Sequence, residues 1–306
     1  MIFHRCHENF FIREGGSRSP FFCCQPAGRV VRCARMKYGH KRKRGTGMAL
    51  LIERPQEICD DHLLLKIDIG SVRCEPGQFV NMRIGDSLDP LLRRPFSVFN
   101  QEGGMLELVI QVVDKATRWL RDHAGPGPVD LLFPLGKGFT LEEGKSVLLV
   151  GGGVGNAPLY YLARRLKKLK NRVTYLYGVR SSDCMFLHNR FEAVSDEFFM
   201  ATDDGTCGHR GRVTDLAREV MTGQSFDRVY ACGPTVMMQS MAGAMAANSF
   251  PFEVSVETYF GCGIGICSGC TVATSGGNRR ACVDGPVFDG REINWPALGE
   301  ASPHDC

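Results

Sequence analysis

Four cysteines close to the C-terminus carry the spacing with the most chemical content. Cys262-Gly-Ile-Gly-Ile-Cys267-Ser-Gly-Cys270 is followed, eleven residues further on, by Cys282. The order C-x4-C-x2-C…C is the plant-type spacing of a [2Fe–2S] centre, in which thiolates converge on two irons. Gly261, Gly263, Gly265 and Gly269 let the backbone curl with positive φ, which predicts amides aimed at sulfur. Two alternatives stand beside this reading. A structural zinc site usually joins two CxxC-like pairs, and here only Cys267 and Cys270 form one. Buried, unligated thiols are the plainer alternative, at odds with so much surrounding glycine. A centre held by Cys262, Cys267, Cys270 and Cys282 moves electrons one at a time. The short gap before Cys282 sets it apart from a simple ferredoxin.

Other stretches have the residues to bind organic cofactors. In Arg93-Arg94-Pro95-Phe96-Ser97-Val98, Arg94 can neutralise a diphosphate and Ser97 can hydrogen-bond the edge of an isoalloxazine ring. The plain alternative is a strand start, where Arg-Pro pairs are common. Gly151-Gly152-Gly153-Val154-Gly155-Asn156-Ala157-Pro158 follows an apolar run and opens a helical one. Glycines there admit phosphate to a helix N-terminus. The run is not a strict GxGxxG, because Asn156 takes the last position, and a plain strand–helix turn remains the alternative. Tyr230-Ala231-Cys232-Gly233-Pro234 and Thr202-Asp203-Asp204-Gly205 also end apolar runs, where open α/β sheets bind ligands. For Cys232 the alternative is a small buried residue, and for Asp203-Asp204 a solvated turn. No acid/base pair suited to oxidising a small metabolite stands out.

The elements that must position these residues change character along the chain. From 48 to 143, short runs such as Ala49–Ile52, Leu63–Ile69, Gln78–Ile84 and Leu106–Val113 alternate with turns, and Ala116–His123 reads as a helix. Many short strands with so little helix predict an antiparallel β-barrel. From 144 to 250 the pattern becomes α/β: strands at Val147–Val150, Val173–Tyr177, Phe198–Ala201 and Arg228–Ala231, and a helix at Ala157–Leu169. That alternation predicts a mostly parallel sheet. Residues 251–306 are Gly- and Cys-rich, too few to bury a large core, so a metal staple is physically sensible. The fold class is therefore multidomain β plus α/β.

The 306 residues carry a net charge of +4, distributed unevenly. Residues 1–47 hold eleven Lys/Arg and two Glu, leaving the body at 4 − 9 = −5. The mildly acidic body gives no reason to expect a nucleic-acid partner. The basic stretch, which ends in Lys41-Arg42-Lys43-Arg44, reads as a disordered extension. Its His4, Cys6, His7, Cys23 and Cys24 match no familiar zinc spacing. No apolar run approaches the ~20 residues of a membrane span. The opening residues lack the apolar core of a secretion signal, so the reading is of a cytoplasmic protein whose fourteen cysteines serve metal or thiol chemistry rather than disulfides.

Taken in order, these segments resemble the ferredoxin reductase superfamily. With Cys282-Val-Asp-Gly-Pro-Val-Phe-Asp289 added, residues 48–295 resemble the electron-transfer subunits of NAD-dependent, two-subunit dihydroorotate dehydrogenases. The resemblance implies FAD against Arg94, Pro95, Phe96 and Ser97, then Val109, Ile110 and Gln111, then Ala116 and Thr117. Gln111 stands where Arg is usual, and Ala116 where Gly is usual. Gly136-Lys137-Gly138-Phe139 is similar to the family's loop closing over the flavin, which adds Gly138 and Phe139. NAD is implied at Gly151, Gly153, Gly155, Asp204, Cys232, Gly233 and Pro234. The implied partner is an FMN-bearing catalytic subunit, in a heterotetramer with two of each chain, that oxidises dihydroorotate in pyrimidine biosynthesis. Electrons would run from FMN through the cluster and FAD to NAD, with the cluster near the surface beneath the partner. The flavin and iron–sulfur subunit of an NAD(P)-dependent ferredoxin oxidoreductase is the second resemblance. Its first ligand is often not cysteine, so Cys262 favours the first.

Overall fold

The structure is a computed structural model that describes residues 49–85, 87–246 and 250–299. The basic stretch 1–47, with its expected disorder, lies outside the described residues. Among them, no helix is long and apolar enough to cross a membrane.

Alternating runs in the first part form β1 (Ala49–Leu51), β2 (Gln56–Cys59), β3 (His62–Asp68), β4 (Phe79–Met82), β5 (Arg94–Ser97), β6 (Asn100–Glu102), β7 (Met105–Gln111), β8 (Gly127–Val129) and β9 (Leu131–Leu135). A single barrel was expected. Instead the antiparallel ladders fall into a six-stranded sheet, in the order β6-β7-β3-β1-β8 with β2 on β3, and a three-stranded sheet, β5-β4-β9. Pro95 has no N–H with which to continue the ladder, and β5 stays at an edge. The two sheets still share one core. Leu63, Leu65 and Ile67 of β3 and Leu106, Leu108 and Ile110 of β7 meet Val80 and Met82 of β4. The spacing of two puts each set on one face. Helix α1 (Lys115–His123) follows β7, its start fixed by a reciprocal cap between Asp114 and Thr117.

The second part alternates strand and helix: β10 (Ser146–Gly152), α2 (Asn156–Lys168), β11 (Arg172–Val179), α3 (His188–Glu192), β12 (Glu197–Thr202), β13 (His209–Arg210), α4 (Val213–Gly223), β14 (Arg228–Cys232), α5 (Thr235–Met245) and β15 (Phe252–Ser255). These strands form a parallel ladder in the order β13-β12-β11-β10-β14-β15. Both faces are covered: Leu148 and Val150 enter one core, and Val147 and Leu149 the other. That is why the run reads as continuously apolar.

The cysteine-rich stretch is rooted in the same sheet. β15 pairs with β18 (Val287–Asp289), antiparallel at the sheet's edge. Between them lie the cysteine loop and the hairpin of β16 (Thr271–Thr274) and β17 (Gly277–Arg280); α6 (Trp295–Gly299) follows.

A charged and aromatic clamp joins the first part to the second. Glu107 of β7 accepts hydrogen bonds from both terminal nitrogens of the Arg190 guanidinium, at 2.6 and 3.3 Å. The same guanidinium lies 4.8 Å from the Phe99 ring centre and 4.7 Å from that of Tyr160, which stack on each other. Burial opposes ionisation of Glu107, but hydrogen bonds from Arg190 and Asn100 and the Arg190 charge hold its carboxyl below the ordinary 4.5. A depressed carboxyl stabilises the fold fully above its unfolded value and loses that effect as pH falls through its folded value. Arg190→Met is expected to destabilise the chain by about 2 kcal/mol at pH 7, less than a fully buried pair because Arg190 is partly exposed. Urea denaturation should show the gap to the unaltered chain narrowing below pH ~4.5. A gap equal at both pH values contradicts the assignment.

Candidate functional site

The cysteine loop is organised around sulfur. Cys262 Sγ accepts hydrogen bonds from the amides of Ile264, Ile266 and Cys267 at 3.5, 3.3 and 3.4 Å. Cys267 Sγ accepts from Cys262 and Gly269 N–H, each at 3.4 Å, and Cys270 Sγ from Cys282 N–H at 3.5 Å. These bonds link the thiols as two pairs, Cys262 with Cys267 and Cys270 with Cys282. The first pair lies toward solvent, with Cys267 exposed; the second is buried, at 2% and 3% exposure. Of the four glycines expected in left-handed backbone, Gly263 and Gly265 adopt it and Gly261 and Gly269 do not; Ser268 does, at φ 58°. Gly261 instead makes room, since a Cβ there would lie 3.1 Å from Cys267 Sγ; at Gly269 a Cβ would make only an ordinary 3.6 Å contact with the same sulfur. Arg280 braces the loop through a 2.7 Å hydrogen bond to the Gly265 carbonyl.

Electrostatics separates the pairs. Burial opposes ionisation of Cys262, yet the amides of Cys267, Ile264 and Ile266 bring its thiol from 9.0 down to about 6. Burial, reinforced by Cys270, pushes Cys282 up to about 12. Among the described residues, no three His, Cys, Asp or Glu side chains converge on one metal ion. Two thiol pairs fit the two irons of a [2Fe–2S] centre, and the amide donors fit its negative charge.

The expected flavin strand is β5, with Arg94, Pro95, Phe96 and Ser97 all half-buried. Its register on β4 pairs Ser97 with Phe79 and Pro95 with Asn81. Paired residues share a face, so Pro95 and Ser97 lie on the side of β4 that meets the cysteine loop. There the Phe79 ring is 5.0 Å from that of Phe260, and Asn81 lies beneath Gly263. Phe96 packs toward the core between the two sheets. Arg94 turns to the start of α1 and pairs with the Asp114 carboxylate at 2.9 Å. An expected diphosphate ligand and a helix N-terminus thus meet, with a carboxylate already between them. Burial of Asp114 is outweighed by hydrogen bonds from Thr117 and Arg94, which hold its carboxyl below 3.8.

The other expected flavin residues are dispersed. Val109 and Ile110 are buried in two different cores, and Gln111 is exposed at the end of β7. Ala116 and Thr117 are buried in the first turn of α1. Gly138 packs on the Pro76 carbonyl, and Phe139 is buried edge-on against Tyr230 at 5.6 Å. Phe139 therefore joins the two parts of the fold.

Two of the nucleotide segments do come together. β10 and β14 are neighbours with Gly151 opposite Cys232, at the point where the sheet order reverses. A Cβ on Gly155 would lie 2.5 Å from the Cys232 carbonyl oxygen, and Gly152 and Gly233 pack against Met237. Gly153 has φ +54° and faces open space. Asn156, where a third glycine would be usual, braces the turn: its Nδ2 donates to the carbonyls of Gly153 at 2.9 Å and Gly178 at 3.2 Å. The start of α2 has no side-chain cap; the Asn156 N–H is bonded back to the Gly153 carbonyl and Pro158 has no N–H, so the Ala157 amide is the first-turn donor left toward an anion. Pro234 precedes α5. Burial and the Glu257 charge push the Cys232 thiol up to about 12, so it is neutral at physiological pH. Asp204 follows β12, with β11 between β12 and β10, and its carboxylate closes a turn on Thr206 at 2.7 and 3.0 Å.

Sequence reasoning passed over Asn81, Asp114 and Arg280. For Asp114 a signal existed, the D-x-x-T spacing of a helix cap. Asn81 and Arg280 owe their places to tertiary contacts.

Known proteins match these parts. The model of the iron–sulfur cluster binding domain of dihydroorotate dehydrogenase B covers residues 257–294, and that of the oxidoreductase NAD-binding domain covers 149–243. The dihydroorotate dehydrogenase B (NAD(+)) electron transfer subunit of Desulforamulus reducens is 38% identical over 72% of this chain and 87% of its own length. That of Geobacillus thermodenitrificans is 35% identical over 83% and 98%. The solved NADH-dependent reduced ferredoxin-NADP oxidoreductase, described for flavin-based electron bifurcation, superposes with a TM-score of 0.76 at 33% identity, over 84% of this chain and 93% of its own. A ferredoxin NADP+ reductase from Neisseria gonorrhoeae with bound FAD and NADP shares the fold at 18% identity and a TM-score of 0.54, over 64% of this chain and 89% of its own. With this ferredoxin reductase-like fold and these relatives, the chain belongs to the family of dihydroorotate dehydrogenase B (NAD(+)) electron transfer subunits.

Proposed function

We propose that this chain carries electrons from the FMN-bearing catalytic subunit of a dihydroorotate dehydrogenase to NAD. One observation supports this most: the cysteine loop lies on the face of β4 shared with the flavin strand, and it is anchored by β15 and β18 to the nucleotide sheet. When bound, a [2Fe–2S] centre handles single electrons, NAD a hydride, and FAD both, which suits a chain joining the two regimes. Cys262, Cys267, Cys270 and Cys282 are the proposed iron ligands. Arg94 to Ser97 offer FAD a half-buried strand edge, and Gly151 to Gly155 with Cys232 to Pro234 offer NAD a helix N-terminus at the reversal of the sheet. The proposed partner covers the outer cysteine pair, where Ile266 and Tyr259 are 77% and 59% exposed, in an assembly of two chains of each kind. The proposed parts are a flavin part to 143, a nucleotide part to 250 and a cluster part beyond.

A second reading, a ferredoxin oxidoreductase subunit, draws on the likeness to the bifurcating enzyme. The chain mixed with a dihydroorotate dehydrogenase catalytic subunit should reduce NAD when given dihydroorotate, and Cys267→Ser should abolish that transfer together with the cluster's visible absorption. NAD reduction driven by reduced ferredoxin but not by dihydroorotate would favour the second reading. Gly153→Val should weaken NADH binding about tenfold or more while FAD is retained, because the side chain enters the open space above α2 in strained backbone; equal loss of both contradicts the site. Asp114→Asn keeps the helix cap but removes the charge beside Arg94. FAD titration of the apoprotein should show severalfold tighter binding, and weaker binding would show that the carboxylate helps to hold the cofactor.

A further inference from the structure

Asn81 has no exposed surface, and among the described residues neither its Nδ2 nor its Oδ1 has a hydrogen-bond partner. Burying a carboxamide without partners is costly. The site itself does not require a polar residue. Asn81 lies in a strand of otherwise apolar residues, Phe79, Val80 and Met82, all buried. A leucine, of the same branched shape, would remove the desolvation cost.

Its surroundings point to what the amide addresses. A Cβ on Gly263 would lie 2.6 Å from Asn81 Nδ2, so the bare glycine lets the amide come against the turn between Cys262 and Cys267. That turn already aims three backbone N–H groups at Cys262 Sγ. On the same face, Asn81 is paired in register with Pro95 of the flavin strand. The side chain thus stands beside both the proposed cluster and the proposed flavin strand. Thiolate and sulfide sulfurs accept hydrogen bonds and cannot donate them, which matches the amide nitrogen.

We infer that Asn81 Nδ2 donates a hydrogen bond to a sulfur of the [2Fe–2S] centre, seating the cysteine loop on β4 and setting the cluster's potential. The inference rests on the proposed cluster. A donor to cluster sulfur stabilises the reduced, more negative state, so its loss lowers the potential. Asn81→Leu keeps the branched shape and removes the donor. Asn81→Asp replaces the donor by an acceptor and adds negative charge.

The test uses the full chain, purified anaerobically with its cofactors. EPR-monitored redox titration follows the cluster, and optical titration follows the flavin. The cluster potential is expected to fall from Asn81 to Leu to Asp, with the flavin potential unmoved. Thermal melting adds a sign reversal that mere packing does not produce. Asn81→Leu should melt at or above the unaltered chain when both are stripped of iron, and below it when both hold the cluster. If the leucine variant does not fold, Asn81→Val, smaller and without a donor, carries the same comparison. Cluster potentials equal in all variants overturn the inference. So does a shift confined to the flavin, which would give the amide a different partner. An unaltered chain without iron and sulfide refutes the proposed cluster and this inference with it; an intact cluster whose potential ignores Asn81 refutes the inference alone.

Discussion

Amide N–H groups pointed at sulfur impose the strictest demand on the C-terminal part of this chain. The four residues between Cys262 and Cys267 must turn tightly enough for the amides of Ile264, Ile266 and Cys267 to reach one Sγ. Gly263 and Gly265 supply left-handed backbone, and the Arg280 guanidinium ties the Gly265 carbonyl. Such a loop has little core of its own. It holds its shape because the strands on either side, β15 and β18, are hydrogen-bonded to the nucleotide sheet, and because Phe260 and Gly263 rest on Phe79 and Asn81 of β4.

That arrangement explains why three binding regions occur on one continuous scaffold. β4 carries the flavin strand along one edge and the cysteine loop on one face. The sheet carrying the glycine turn also carries the strands that anchor the loop. The Glu107–Arg190 clamp, with Phe99 and Tyr160 stacked beneath the guanidinium, holds the flavin part against the nucleotide part. Electron transfer needs fixed separations more than acids or bases, and these contacts are the kind that fix them.

Much of this was legible in the sequence where the information is local. The cysteine spacing, the glycine turn before α2 and the alternation of β3 and β7 each reside in 21 residues or fewer. What could not be read depends on pairing across long separations. Strands β15 and β18, of four and three residues, are recognisable only through each other. The division into two sheets follows from a short β4 and from Pro95 at an edge. Phe139 reads as part of a loop closing over the flavin until Tyr230 is placed against it, and Asn81 reads as an ordinary strand residue until Gly263 arrives. Asp114 differs, since its capping signal was present but its pairing with Arg94 was not. Gly261 and Gly269 were expected in left-handed backbone and adopt none; Gly261 instead makes space for a thiol.

The central claim is that two thiol pairs hold two irons bridged by sulfide. Iron and acid-labile sulfide analysis of the anaerobically purified chain tests it most directly. The account predicts about two irons and about two sulfides per chain, with zinc absent. Zinc, or a single metal ion without sulfide, would contradict it.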